Sequence, residues 1–173
     1  FKKQPPIGCR DQATVDLLQK YGVDAYFTGC LTLFFDKHTR KGSKKYLVDV
    51  NTNVNYIPNL EIEMSKFKDF EVVKHEIMKK DDTDINARLL VANKFLENYK
   101  NASLVVTTRL HCALPCRSLG TDCIFIHKGY ESDPRFKGLE GVLNGAAEYH
   151  SNTSPMKGEL ESIQKFFKSY EIL

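Results

Sequence analysis

Between Thr83 and Tyr99, Ile85, Leu89, Ala92, Leu96 and Tyr99 recur at spacings of four, three, four and three. That period lays them along one face of a helix. Thr83 and Asp84 supply an N-cap and early negative charge where helix N–H groups are unpaired. After a brief Asn-Ala-Ser break, Leu104-Val105-Val106-Thr107 is short, apolar and β-branched, as expected of a strand buried on both faces. Leu110–Leu119 reads as a second helix, closed by Gly120 at the position that favours a left-handed cap. Pro115 inside it predicts a kink or a late start. Cys123–Ile126 is another buried strand. Helix, strand, helix, strand in this order is the grammar of a parallel sheet with crossover helices.

The beginning of the chain repeats the pattern. Asp11 is placed to cap a helix through Tyr21, with Val15, Leu18 and Tyr21 inward and Gly22 as terminator. A strand at Ala25-Tyr26-Phe27 and a Thr28-Gly29 turn follow. Tyr46–Val50 and Glu71–His75 are further strands, and the Asn-rich Asn51–Asn59 between them reads as a loop. Ser154-Pro155 starts a last helix with an apolar stripe of Leu160, Ile163, Phe166 (or Phe167) and Tyr170. With no internal repeat or linker, residues 1–173 are expected to form a single domain.

Composition narrows the function classes. The chain has 173 residues, enough for one proper core, with 42% apolar and 27% charged residues. Its net charge of +3 comes from basic residues scattered among 22 acidic ones, which favours neither a nucleic-acid binder nor a polybasic membrane protein. The apolar runs are too short to span a bilayer and no signal-peptide pattern is present. The first residue is Phe1 rather than Met, so a partial chain is expected. Five cysteines form no CxxC or Cys/His ligand pattern. Cys112 and Cys116, four apart on a helix, read as packing, and the set as buried thiols in a reducing cytoplasm with no metal.

Open parallel sheets bind ligands beyond the carboxyl ends of their strands, near helix N-termini. Arg109-Leu110-His111 falls at such a place, after the strand ending near Thr107. Arg109 offers a permanently charged fork for phosphate or carboxylate, and His111 exchanges a proton near neutral pH. The same letters also fit a salt-bridged arginine followed by a histidine at a helix start. His127, Lys128, Tyr130 and Arg135 follow the strand ending near Ile126, on the same rim. His127-Lys128 reads as a solvated turn or an extension of the anion site; Asp133-Pro134-Arg135 reads equally as a local turn. Asp11 reads as a helix cap. Glu61, Glu63, Asp81, Asp82 and Asp84 make no metal pair, and His38, His75 and His150 read as surface or strand residues without matching partners.

Several of these segments carry a resemblance in order. Ile7-Gly8-Cys9-Arg10-Asp11-x-x-Thr14, then Leu17-Leu18, Tyr21-Gly22-Val23 and Tyr26-Phe27-Thr28-Gly29-Cys30-Leu31-Thr32-Leu33, resemble the polysaccharide pyruvyl transferase family. So do Val105-Val106-Thr107-Thr108-Arg109-Leu110-His111 and Asp133-Pro134-Arg135-Phe136-x-Gly138-Leu139. Gly29-Cys30-Leu31 lacks the Gly-Asp-Pro of many relatives, and Pro115 and Arg117 stand where relatives are plainer. The resemblance implies an α/β, Rossmann-like three-layer domain with a mostly parallel sheet, similar to the C-terminal half of a GT-B-like two-domain enzyme. A missing N-terminal domain or a second copy is the implied protein partner. The implied activity moves a pyruvyl group from phosphoenolpyruvate onto two hydroxyls of a sugar, in polysaccharide or cell-surface glycan biosynthesis. No cofactor is implied beyond that donor, and the implied location is the cytoplasm, with membrane association through the glycan. Arg10 and Arg109 match positions associated with the donor; Leu110, Lys128 and Arg135 complete the expected substrate-binding set. His111 is expected to transfer a proton or steady the leaving phosphate. The competing expectations are a GT-B glycosyltransferase using a sugar nucleotide, and a non-catalytic module that binds an anion or a partner chain.

Overall fold

The computed structural model describes residues 5–39, 42–51, 56–57, 62–75, 84–126 and 132–143. The chain opens with β1 (Ile7–Cys9), α1 (Gln12–Lys20) and β2 (Ala25–Phe27), the two strands pairing in parallel with Ile7 opposite Ala25. Asp11 starts α1 from an extended backbone, its Oδ1 accepting the Thr14 N–H at 2.8 Å. Val15 is buried and Leu18 packs beside it, together with Cys9 and Ala25. Tyr21 does not turn inward as expected: the helix stops at Lys20, and Tyr21 is its C-cap with 65% of its surface exposed.

The larger sheet runs β6 (Glu71–Val73), β3 (Lys44–Val48), β7 (Ala102–Thr107), β8 (Cys123–Phe125), every neighbour parallel. Between β3 and β6 the chain makes a small antiparallel hairpin, β4 (Tyr56–Ile57) with β5 (Ile62–Glu63), followed by a 3-10 turn at Met64–Phe67. Tyr56 and Ile57, expected in a loop, are strand-favouring types inside the Asn-rich stretch, and a partner four residues beyond them gives them a ladder.

Alternation along the strands sorts the core into two faces. Leu47, Leu104, Val106 and Ile124 point one way, onto Phe67 of the 3-10 turn and Phe70 just beyond it. Tyr46, Val48, Val105 and Cys123 point the other way, onto α2 (Ile85–Lys100) and α3 (Leu110–Leu119). The result is an α/β domain with a parallel, Rossmann-like layered sheet. All five cysteines are free and buried, and Cys112, Cys116 and Cys123 belong to the helix-covered face.

The α2 stripe is apolar along its length but buried only at its end. Tyr99 is 1% exposed, whereas Ile85 and Leu89 are 63% and 55% exposed and Ala92 also faces solvent. Its packed residues, Phe95, Leu96 and Tyr99, all lie in the C-terminal half of the helix, against the sheet and α3. Helix α3 starts at Leu110, not late, and runs without interruption past the buried Pro115 to Gly120, which takes φ 78°. A third helix-side cluster joins Cys30 and Leu33 to Leu110, Leu114, Leu139, Val142 and Leu143, tying the turn after β2 to α3 and to α4 (Glu140–Leu143). The expected C-terminal helix from Ser154 lies outside the described residues.

Candidate functional site

Strand order decides where a ligand can enter. From β3 the chain goes to β6 on one side, then crosses to β7 on the other, so the switch in direction falls between β3 and β7. Outside the carboxyl ends of those strands, at such a switch, open parallel sheets form their binding crevice. The residues that leave β3, β6 and β7 there are Asp49, His75 and Arg109.

Hydrogen bonds stitch this rim. Thr107 Oγ1 donates to the Val48 carbonyl at 3.0 Å and accepts the Arg109 N–H at 3.0 Å. Thr108 Oγ1 donates to the Asp49 carbonyl at 2.9 Å. The Asp49 N–H donates to the Val73 carbonyl, and its Oδ1 accepts the His75 N–H at 3.1 Å. Asp49 stands at φ 53°, the left-handed region that few side chains other than Asn and Asp adopt. Its Oδ2 pairs with Arg109 Nε at 2.7 Å.

Arg109 is the N-cap of α3 but makes no side-chain cap bond, unlike Asp11 of α1 and Asp84 of α2. The first N–H groups of α3 thus open toward a charged fork instead of a capping carboxylate. Two residues on, His111 Nε2 lies 3.5 Å from Arg10 NH1, which leaves the carboxyl end of β1. A guanidinium only donates, so this long contact uses the lone pair of Nε2. Arg10 NH2 also reaches Asp11 Oδ2 at 3.2 Å, and its buried Nε has no hydrogen-bond partner among the described residues. Asp11 therefore has two tasks, capping α1 and steadying Arg10. Burial works to raise its pKa, but the bonds from Thr14 and Arg10 outweigh it and hold the carboxyl below its ordinary value.

Imidazoles line this rim as neutral groups. Loss of water, and then the Arg10 charge, lowers His111 below the ordinary histidine value. Burial lowers His75, whose ring sits 4.3 Å from Phe95 and whose Nε2 meets the Tyr99 hydroxyl. Tyr99 is pushed up by its own burial and stays protonated. His75 is thus neither a surface residue nor unpartnered, contrary to the expectation from sequence. The electrostatic influence of Asp49, Arg109 and His111 reaches it.

The remaining expected residues fall elsewhere. Leu110 takes the first helical position of α3 and packs in the Cys30 cluster. Arg135 sits in the 3-10 turn Pro134–Phe136, with NH2 2.5 Å from Asp133 Oδ2 and 64% of its side chain exposed. Asp133 also accepts the Arg135 N–H, which is the local turn that the Asp-Pro-Arg letters suggested. His127, Lys128 and Tyr130 lie outside the described residues. Asp49, His75 and Tyr99 were missed. Only a weak signal marked the first: a polar residue directly after a buried apolar strand.

Together these features define an α/β protein with arginines and neutral imidazoles along the carboxyl rim of parallel strands. More particularly, the chain belongs to the polysaccharide pyruvyl transferase family, whose model matches residues 1–127. No curated protein and no solved structure matches the chain. Among the described residues, no helix is long and apolar enough to cross a membrane.

Proposed function

We propose that the protein transfers a pyruvyl group from phosphoenolpyruvate to two hydroxyls of a sugar, with Arg10, Arg109 and His111 handling the donor. The observation that carries this reading is the approach of Arg10 to His111 across 101 positions of sequence, at the start of an uncapped helix. A doubly anionic donor calls for more than one cation, and two guanidiniums flanking a helix N-terminus suit a phosphate and a carboxylate. Each charge-assisted pair contributes about 1.5–3 kcal/mol.

Ketal formation consumes the donor's carbon–carbon double bond. Its methylene carbon takes a proton and becomes a methyl group, while the neighbouring carbon gains bonds to two sugar oxygens and loses the phosphate. Of the two hydroxyl protons, one balances the proton taken up by the methylene carbon and the other leaves with the phosphate. His111, its pKa lowered by burial and by Arg10, accepts a hydroxyl proton at Nε2 once the donor draws the Arg10 guanidinium from that lone pair, and Arg10 then suits the departing phosphate. Leu110 contributes its backbone N–H at the first position of α3, and Lys128 and Arg135 are proposed as further substrate-binding residues. Such a reaction belongs to polysaccharide or cell-surface glycan biosynthesis, and the location that goes with the proposal is the cytoplasm, near membranes through the glycan.

Thermal unfolding with ligands tests the donor. At a hundredfold excess over Kd, phosphoenolpyruvate is expected to add about 2.7 kcal/mol of stability. Stabilisation by a nucleotide sugar in its place would transfer the assignment to glycosyl transfer.

A further inference from the structure

Building on that donor reading, we propose that Asp49 is a positioning residue, gripping the Nε edge of Arg109 so that the rest of its guanidinium meets the donor's anionic group. The two side chains differ sharply in exposure. Arg109 is 61% exposed, whereas Asp49 is 13% exposed and reaches it with an Oδ2–Nε distance of 2.7 Å. The pair is therefore an anchored carboxylate holding an otherwise open fork. Using the Nε–H leaves the donors on the two terminal nitrogens for a ligand.

Three strand ends hold the anchor itself. Asp49 bonds to the Val73 carbonyl and the His75 N–H beyond β6, and to Thr108 beyond β7, while its own backbone is bent to φ 53°. A non-glycine residue in that region is strained, and persists where the surroundings over-determine it. A largely exposed ion pair contributes little to folding stability. Strain combined with a weak stabiliser fits a residue kept for geometry. Asp49 also sits on the β3 side of the switch crevice and Arg109 on the β7 side, so the pair fastens the crevice across the point where a ligand would lie.

Glycine tolerates φ 53° without strain, so Asp49→Gly removes the carboxylate while relieving the backbone. Calorimetric titration of the chain with phosphoenolpyruvate is the test, alongside its melting temperature. Asp49→Gly is expected to stay folded, melting somewhat below the wild type for loss of the Oδ1 bond to the His75 N–H, yet to bind the donor about tenfold more weakly, because the fork is no longer pre-set. Asp49→Asn keeps an acceptor oxygen and the left-handed tolerance, and is expected to recover part of that loss. In an Arg109→Ala background, Asp49→Gly is expected to cause no further loss, since its effect runs through Arg109. Wild-type affinity in a folded Asp49→Gly chain, or losses that add in the double variant, would overturn the proposal. A wild-type chain that ignores phosphoenolpyruvate and binds a nucleotide sugar would overturn the donor assignment, and this inference with it.

Discussion

Individual side chains at the rim do work that their charge alone does not describe. Arg109 offers an oriented fork, and lysine at the same position would keep the charge but lose the plane. Arg109→Lys is accordingly expected to weaken phosphoenolpyruvate binding about tenfold with little change in melting temperature, as read by calorimetry beside a thermal scan. Beneath it, the Tyr99 hydroxyl answers the half-buried His75 ring. Removing that hydroxyl strands a buried nitrogen, so Tyr99→Phe should cost about 1–2 kcal/mol in chemical denaturation. Unchanged stability would mean that water replaces the hydroxyl without loss. Arg109 and His111 were legible as letters because they stand at a recognisable strand-to-helix turn, and Arg10 was legible through the family resemblance. Asp49 and His75 were not, because a single polar residue after an apolar strand is ordinary until a fold brings three strand ends together.

Helices and strands followed the sequence where local chemistry was decisive. Helix α3 occupies Leu110–Leu119, the span its pattern predicted, because Gly120 stops it in a conformation that other residues resist. Gly120→Ala would place a Cβ about 2.9 Å from the Lys37 side chain and strain φ 78°, a loss of about 1 kcal/mol or more measured as a lower denaturation midpoint. Central strand β7 is packed on both faces, with Leu104, Val105 and Val106 fully buried. Leu104→Ala should therefore cost about 2–5 kcal/mol, and a smaller cost would mean that Phe67 and Phe70 collapse into the gap. Other element-level expectations failed: Tyr21 became exposed because α1 ends a residue earlier, Tyr56-Ile57 found a strand partner, and the first half of α2 stayed open because only its last turns meet the sheet and α3.

Below neutral pH, proton linkage among the described residues has one sign at the scale of the whole molecule. His75 and His111 are both held below the ordinary histidine value of 6.5, so in acid the unfolded chain binds protons before the folded one does. Their cost is absent above pH 6.5 and grows as the pH falls from there through the folded-state values. Asp11, also lowered, acts in the same direction below its ordinary value of 3.8. Melting temperature is therefore expected to decline from neutral pH toward about pH 5, and to decline less steeply in a His75→Gln variant. A profile flat across that interval would contradict the burial of both imidazoles.

What the amino-acid order determined on its own was periodic and local: alternating helices and strands, the Asp11 and Asp84 caps, the glycine stop, and the ordered letters that carry the family resemblance. These depend on neighbours within a few residues, where capping bonds, dihedral preferences and apolar spacing act. Tertiary structure alone decided which strand lies beside which, and hence that the switch falls between β3 and β7. It also decided which half of α2 is covered, and that Arg10 meets His111 while Asp49 meets Arg109. Those outcomes depend on distances between segments far apart in the chain, and side-chain period carries no information about such distances.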